Sequence, residues 1–407
     1  MAPYTQTRAI VAKEPLDPAA PKASFVFETL EFDEPADDEV VIRMVASGIC
    51  HSDIGFACMP GPDRVLGHEG RKVLIPLNLQ PSGLTQLFSP IGAGYITVLG
   101  KSVTHLQVND PVLLSYRSCG ACPACSSTPT GRTHACPSIL QLNFAHPAAF
   151  KRPDSATFDV AGRFFGQSSF ANYSRAHMRS VVSMRDLVSG SDPDADLRLL
   201  APLGCGFMTG AGTMLNALKA KPESAVLVTG MGAVGFGAVM VARLAGCGTV
   251  VALDRVGSRL RRAKEVGATH VIDTTELQDY EQIVEAVRAQ VPEGVDGVVE
   301  TTGADLVMQA SMRVLRREGQ VVFLAQGPLG AELAIPYKVL QYVSGKVNFS
   351  VMGEANPQDF VPKMVKWWRE GKFPIEKLVE EYSIEEWKEA IGAMLSSGDV
   401  VKPVLVW

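Results

Sequence analysis

A short apolar run, Ala225-Val226-Leu227-Val228-Thr229, leads directly into Gly230-Met231-Gly232-Ala233-Val234-Gly235. An apolar helical pattern follows over 239–244, then a second apolar run over 249–253 that ends on Asp254. Few folds accept that order. A strand that turns through glycines into a helix and returns beside itself builds a parallel βαβ unit. The alternation continues with a charged helical segment over 258–266. Apolar strands follow over 270–272, 297–300 and 320–325, with helical patterns between them. This half of the chain reads as a doubly wound parallel sheet.

Each glycine then has its own task. The first makes the tight turn, the second lets a pyrophosphate approach the backbone, and the third lets helix pack on strand. The helix N-terminus adds free N–H groups and the positive end of a dipole. Asp254 can accept hydrogen bonds from both ribose hydroxyls, and its charge repels a 2′-phosphate. NAD is therefore favoured over NADP, a preference that nearby Arg255 and Arg259 would weaken. The candidate cofactor residues here are Gly230, Gly232, Ala233, Val234, Gly235, Asp254 and Arg259. A βαβ unit without nucleotide is the bland alternative.

The cysteines carry the second signal. Cys119, Cys122, Cys125 and Cys136 offer four thiolates and no open position, which is how a structural zinc is held. Cys50 stands in Gly48-Ile49-Cys50-His51-Ser52-Asp53, His68 in Gly67-His68-Glu69-Gly70, and Cys205 in Gly204-Cys205-Gly206. Two thiolates and one imidazole leave a corner free for a substrate oxygen. A lone buried cysteine is usually a small core residue. Three such motifs in one chain argue for an enzyme. A redox role for the CxxC pairs is disfavoured, because no thioredoxin-like pattern surrounds them. A reduced, metal-free lobe is the runner-up there, and His134 could compete as a ligand. Cys58 and Cys247 are left as structural.

The 407 residues allow two or three domains. A formal net charge of −5 gives no support for nucleic-acid or membrane-surface binding. The first residues lack the apolar core of a signal peptide, and no apolar run is long enough to span a bilayer. Reduced thiols and a cytoplasmic location are therefore expected. Residues 1–60 read as β-rich, with strands at 24–30 and 39–45. Residues 105–185 read as irregular. From 349 the alternation breaks, with helices at 367–370 and 384–395 and a final strand at 403–407.

Together these motifs resemble the zinc-dependent medium-chain alcohol dehydrogenases. The run Thr209-Gly210-Ala211-Gly212-Thr213 and the tail 371–379 look most like the aryl (benzyl) branch. The resemblance implies an α/β protein of two parts. A GroES-like β-rich catalytic domain covers 1–205, with a structural zinc lobe at about 115–140. A Rossmann NAD-binding domain covers 206–350, and 351–407 returns to the catalytic domain.

It also implies two zinc ions per chain. Cys50, His68 and Cys205 would hold the catalytic one, and the four lobe cysteines the structural one. Glu69 would stand behind the metal as an alternate ligand, and Asp53 would fix the free nitrogen of His68. Ser52 would take the alcohol proton. His51 would sit near the cofactor phosphates and could end the proton path. Thr209 would touch the nicotinamide, and Lys402 would reach the pyrophosphate. The implied reaction moves a hydride between NAD and a primary, aromatic or bulky alcohol or aldehyde. The implied assembly is a homodimer or homotetramer joined through the edge strands of the cofactor domains. A role in fungal secondary-metabolite biosynthesis is a hint only.

Several features depart from that pattern. Residues 71–92 interrupt what should be a short turn after Gly70. They read either as a loop gating bulky substrates or, preferably, as a translated intron. The gap before Cys136 is roughly three residues longer than the family's, which loop-closure entropy tolerates. The stretch from Cys50 to His68 is shorter than usual. The histidine that ends the relay in some relatives would fall near Gly55 and is absent. Tyr116 and Phe207 are candidate pocket walls. Rival readings are a zinc-free quinone or enoyl reductase, and an NAD-binding protein inactivated by the 71–92 segment. A polyol dehydrogenase ranks lower, because those relatives often use a carboxylate where this chain has Cys205.

Overall fold

The computed structural model describes residues 6–15, 24–50, 53, 57, 62–65, 91–126, 131–144, 148–325, 331–396 and 398–407. His51, Ser52, Cys58, His68, Glu69 and almost all of the 71–92 segment lie outside these.

Strands Ala225–Thr229, Thr249–Asp254, His270–Asp273, Val295–Glu300, Leu315–Phe323 and Lys346–Phe349 form one sheet. Numbered in chain order within the sheet, they run 3-2-1-4-5-6, and every pairing is parallel. Alternate residues face two different cores. Val226, Val228, Val250 and Ala252 join the main core, while Leu227, Val251, Leu253 and Val298 join a second one. Burial on both faces is what a parallel sheet under two helical layers requires. The expected doubly wound sheet is borne out.

The β-rich part holds two further sheets. Strand Glu39–Gly48 is the spine of the larger, flanked by Ile91–Leu99, Tyr173–His177 and Lys402–Val406. The chain therefore returns to this sheet at its end, bringing Val379–Ser383 with it. Three strands of this sheet, Pro111–Leu114, Tyr173–His177 and Val181–Ser183, lie in the stretch that the sequence reads as irregular. The middle one hides its alternation. It buries Ser174, Arg175 and His177, with Arg175 paired to buried Glu39 at 3.4 Å. Charges satisfied inside a sheet erase the apolar signature of a strand.

The last two residues of the 71–92 segment are described and already belong to a strand. Ile91 and Gly92 already pair with Gly48 and Ser47. A Cβ on Gly92 would lie 2.8 Å from Ser169 Cβ, and the flexible end of Met44 would also have to move aside. The strand starts two positions earlier than the family-like run Ala93-Gly94 suggests.

Candidate active site

The phosphate turn divides its glycines as the sequence implies. Gly230 has φ +83°, and a Cβ on it would meet Thr301 Oγ1 at 2.6 Å. A Cβ on Gly235 would lie 1.9 Å from the Gly230 carbonyl oxygen. A Cβ on Gly232, by contrast, would meet nothing within 4 Å among the described residues. Helix Ala233–Leu244 starts from Gly232 with no side-chain cap. An open cradle in front of uncapped helix N–H groups fits a pyrophosphate.

Asp254 supports that turn from below. Its Oδ2 accepts from the Met231 N–H at 2.5 Å and its Oδ1 from the Val256 N–H at 2.9 Å. Arg259 points toward the C-terminal segment, donating to the carbonyls of Gly398 and Val400. Sequence reasoning missed Glu300. It is wholly buried at the end of its strand and accepts from Thr229 Oγ1 and from the N–H groups of Thr302 and Gly303. Burial pushes its carboxyl upward, and these donors oppose the shift. The run Glu300-Thr301-Thr302-Gly303 just after a strand was the available signal.

Cys205 heads the helix Gly206–Gly212, which continues as a π-helical turn, Thr213–Ala217. Cys205 is fully buried, and its carbonyl accepts the Thr209 N–H at 2.6 Å. Thr209 is also fully buried. This helix packs backbone to backbone on the phosphate-turn helix. A Cβ on Gly210 would lie 1.8 Å from the Val234 carbonyl oxygen, and one on Gly237 would lie 2.5 Å from that of Phe207. The cysteine and the phosphate cradle thus belong to one rigid helix pair. Phe207 is buried in that packing, edge-on to Phe373.

Cys50 follows the spine strand and packs against the core that contains Cys205. The Cys50 N–H donates to Asp53 Oδ2 at 2.8 Å, and the Asp53 N–H returns to the Cys50 carbonyl at 3.0 Å. Asp53 is fully buried, and its carboxyl is held well above the usual range by burial and by the charge of Cys50. Lys402, 3% exposed, donates to the Ile49 carbonyl at 2.7 Å and partly offsets that shift. A buried thiol–carboxylate pair with one lysine near it is a donor set that a cation would relieve.

The lobe cysteines come together. Their four sulfurs all lie within 4.8 Å of one another, and His134 is not part of the group. Cys119 and Cys125 are 3.9 Å apart, and Cys122 and Cys125 3.4 Å. Tetrahedral zinc with bonds of about 2.3 Å spaces its sulfurs about 3.8 Å apart. The donor set therefore fits zinc. Gly131 closes the lengthened loop in the left-handed region (φ +62°), where a Cβ would strike the Cys125 carbonyl. The thiols differ sharply. Backbone N–H groups of Ala121 and Cys122 bring Cys119 down to about 6, while burial sends Cys125 up to about 12. The seven described cysteines are all free of disulfides.

The family model described as zinc-binding dehydrogenase matches residues 233–370. Geraniol dehydrogenase of Castellaniella defragrans is 32% identical over 389 residues, covering 93% of this chain and 94% of that protein. The chain belongs to the zinc-dependent medium-chain alcohol dehydrogenase family. Among solved structures it is similar to benzyl alcohol dehydrogenase from Acinetobacter calcoaceticus, with TM-score 0.82 and 32% identity over 98% of this chain and 99% of that one. A zinc-binding alcohol dehydrogenase domain protein from Burkholderia ambifaria gives TM-score 0.82 and 31% identity, over 98% of both chains.

Proposed function

We propose that the protein is an NAD-linked, zinc-dependent dehydrogenase of primary alcohols, favouring aromatic or otherwise bulky ones, and of the matching aldehydes. The observation that carries this reading is the helix pair. The thiol of Cys205 heads one helix, the phosphate cradle opens the other, and glycines lock the two together. Similarity to proteins named geraniol and benzyl alcohol dehydrogenase supports the substrate class.

Cys50, His68 and Cys205 would hold the catalytic zinc, with Glu69 behind it, and the four lobe cysteines a structural zinc. When bound, zinc supplies Lewis-acid polarisation of the substrate oxygen, and nicotinamide supplies the hydride acceptor. Asp53 orients the ligand shell from its buried position. Ser52 takes the alcohol proton and passes it toward the ribose, with His51 or water as the exit. Thr209 would touch the nicotinamide when it is bound. Asp254 favours NAD by meeting the ribose hydroxyls. Lys402 and Arg259 contribute positive charge on the cofactor side. A cytoplasmic location suits the reduced thiols. No helix among the described residues is long and apolar enough to cross a membrane.

Purified protein should contain roughly two zinc ions per chain and oxidise benzyl or geranyl-type alcohols with NAD in preference to short aliphatic ones. Metal analysis and an alcohol panel run with both cofactors check this. Less than one zinc with quinone or enoyl reduction would favour the zinc-free reductase instead.

Assembly through the cofactor sheet is part of the same proposal. Strand Lys346–Phe349 is the sheet's edge, and near it Tyr342 is 77%, Tyr337 65% and Phe349 63% exposed. An apolar row beside an edge strand favours self-association. Tyr342→Lys with Phe349→Lys should shift the mass in light scattering from dimer or tetramer toward monomer. An unchanged assembly would place the contact elsewhere.

A further inference from the structure

Three successive carbonyls beside Thr209 are each held by a side chain from elsewhere. Met352, Gly353 and Glu354 all have positive φ, at 53°, 65° and 50°. Left-handed backbone at two non-glycine residues is strained and persists only where the surroundings over-determine it. Asn216 Nδ2 donates to the Gly353 carbonyl at 3.1 Å and to that of Glu354 at 3.2 Å. The Tyr116 hydroxyl donates to the Ala355 carbonyl at 2.7 Å. The other side of the turn bears on the Cys205 helix. A Cβ on Gly353 would lie 2.5 Å from the Thr209 carbonyl oxygen, and Met352 Sδ is 4.0 Å from Thr209 Oγ1.

Tyr116 reaches this turn from the four-cysteine lobe. A phenol has one proton, and the Ala355 carbonyl can only accept it. The phenol oxygen therefore accepts from Thr133 Oγ1, 2.5 Å away. The Thr133 carbonyl in turn accepts the Cys136 N–H at 3.2 Å. Tyr116, Thr133, Cys136 and Ala355 are all buried. A line of contacts runs from the backbone of lobe residue Cys136 through Thr133 and Tyr116 to the turn, and from the turn to Thr209.

We propose that Tyr116 is a positioning residue that couples the four-cysteine lobe to the nicotinamide end of the cofactor pocket through the Met352–Glu354 turn. The proposal rests on the dehydrogenase reading above, which puts nicotinamide at Thr209. Tyr116→Phe leaves the buried Ala355 carbonyl without this donor, and the turn can then relax away from Thr209. Coupling of this kind is reciprocal, so what loosens the lobe weakens the cofactor.

The test is a titration of NADH fluorescence on zinc-loaded parent, Tyr116→Phe, Thr133→Val and the double variant. Tyr116→Phe should raise the Kd for NADH roughly 3- to 10-fold. Thr133→Val, distant from the pocket, should raise it roughly 3-fold in the parent and add nothing to Tyr116→Phe. Zinc content should stay at the parent's level in all four. An unchanged Kd in Tyr116→Phe, even with a lower melting temperature, overturns the proposal, because Tyr116 is then only a fold stabiliser. Additive effects in the double variant overturn it too. If Tyr116→Phe fails to fold, Thr133→Val decides alone, and an unchanged Kd there refutes the coupling. A parent that binds no NADH refutes both readings; a parent that binds it while the variants do not respond refutes only this one.

Discussion

Cys50→Ala protein should fold, keep its lobe zinc and turn over alcohols at least roughly a thousandfold more slowly than the parent. Metal content should drop from roughly two zinc ions per chain to roughly one. The fold should survive for a local reason. Cys50 is only partly buried, and the bond that shapes its turn, from its own N–H to Asp53, does not involve the thiol. Removing the thiol also removes a charge that raises the Asp53 carboxyl. The melting temperature should therefore hold or rise slightly in metal-free protein. Steady-state kinetics with metal analysis decides the matter, and retained turnover would remove the metal mechanism.

Asp254→Ala should change cofactor choice. The ratio of kcat/KM with NAD to that with NADP should fall roughly 10- to 100-fold, each factor of ten being about 1.4 kcal/mol. Two effects need separating. Losing the carboxylate leaves the N–H groups of Met231 and Val256 without their acceptor, which harms both cofactors equally. Losing its charge and its ribose bonds harms NAD alone and relieves the repulsion of a 2′-phosphate. The ratio isolates the second effect. Equal losses with both cofactors would mean that Asp254 only braces the turn.

The cofactor half was legible because its information is local. Gly230, Gly232 and Gly235 sit inside one strand-turn-helix, so each role follows from its immediate neighbours. The lobe was legible for the same reason, since CxxC spacing already brings three thiols within reach of one another. Strand Tyr173–His177 was not legible, because its buried Arg175 is satisfied by Glu39, far away in sequence. The start of strand Ile91–Leu99 was not legible from the run Ala93-Gly94, because its first pairings, to Gly48 and Ser47, are made across the sheet. The left-handed turn at Met352 was invisible for a sharper reason. The side chains that hold it, Tyr116 and Asn216, lie 239 and 137 positions upstream of the carbonyls they bind. The candidate catalytic residues His51, Ser52 and Glu69 and the candidate zinc ligand His68 were named from motifs and fall outside the described residues.

The glycine contacts between the Cys205 helix and the phosphate-turn helix set a limit on redesign. At Gly210 and Gly237 even one methyl group would wedge the helices apart and shift the thiol relative to the nucleotide cradle. Libraries meant to widen the range of alcohols should leave that seam untouched and vary residues elsewhere. Any gain in room at the seam would be cancelled by misalignment of the two halves of the reaction.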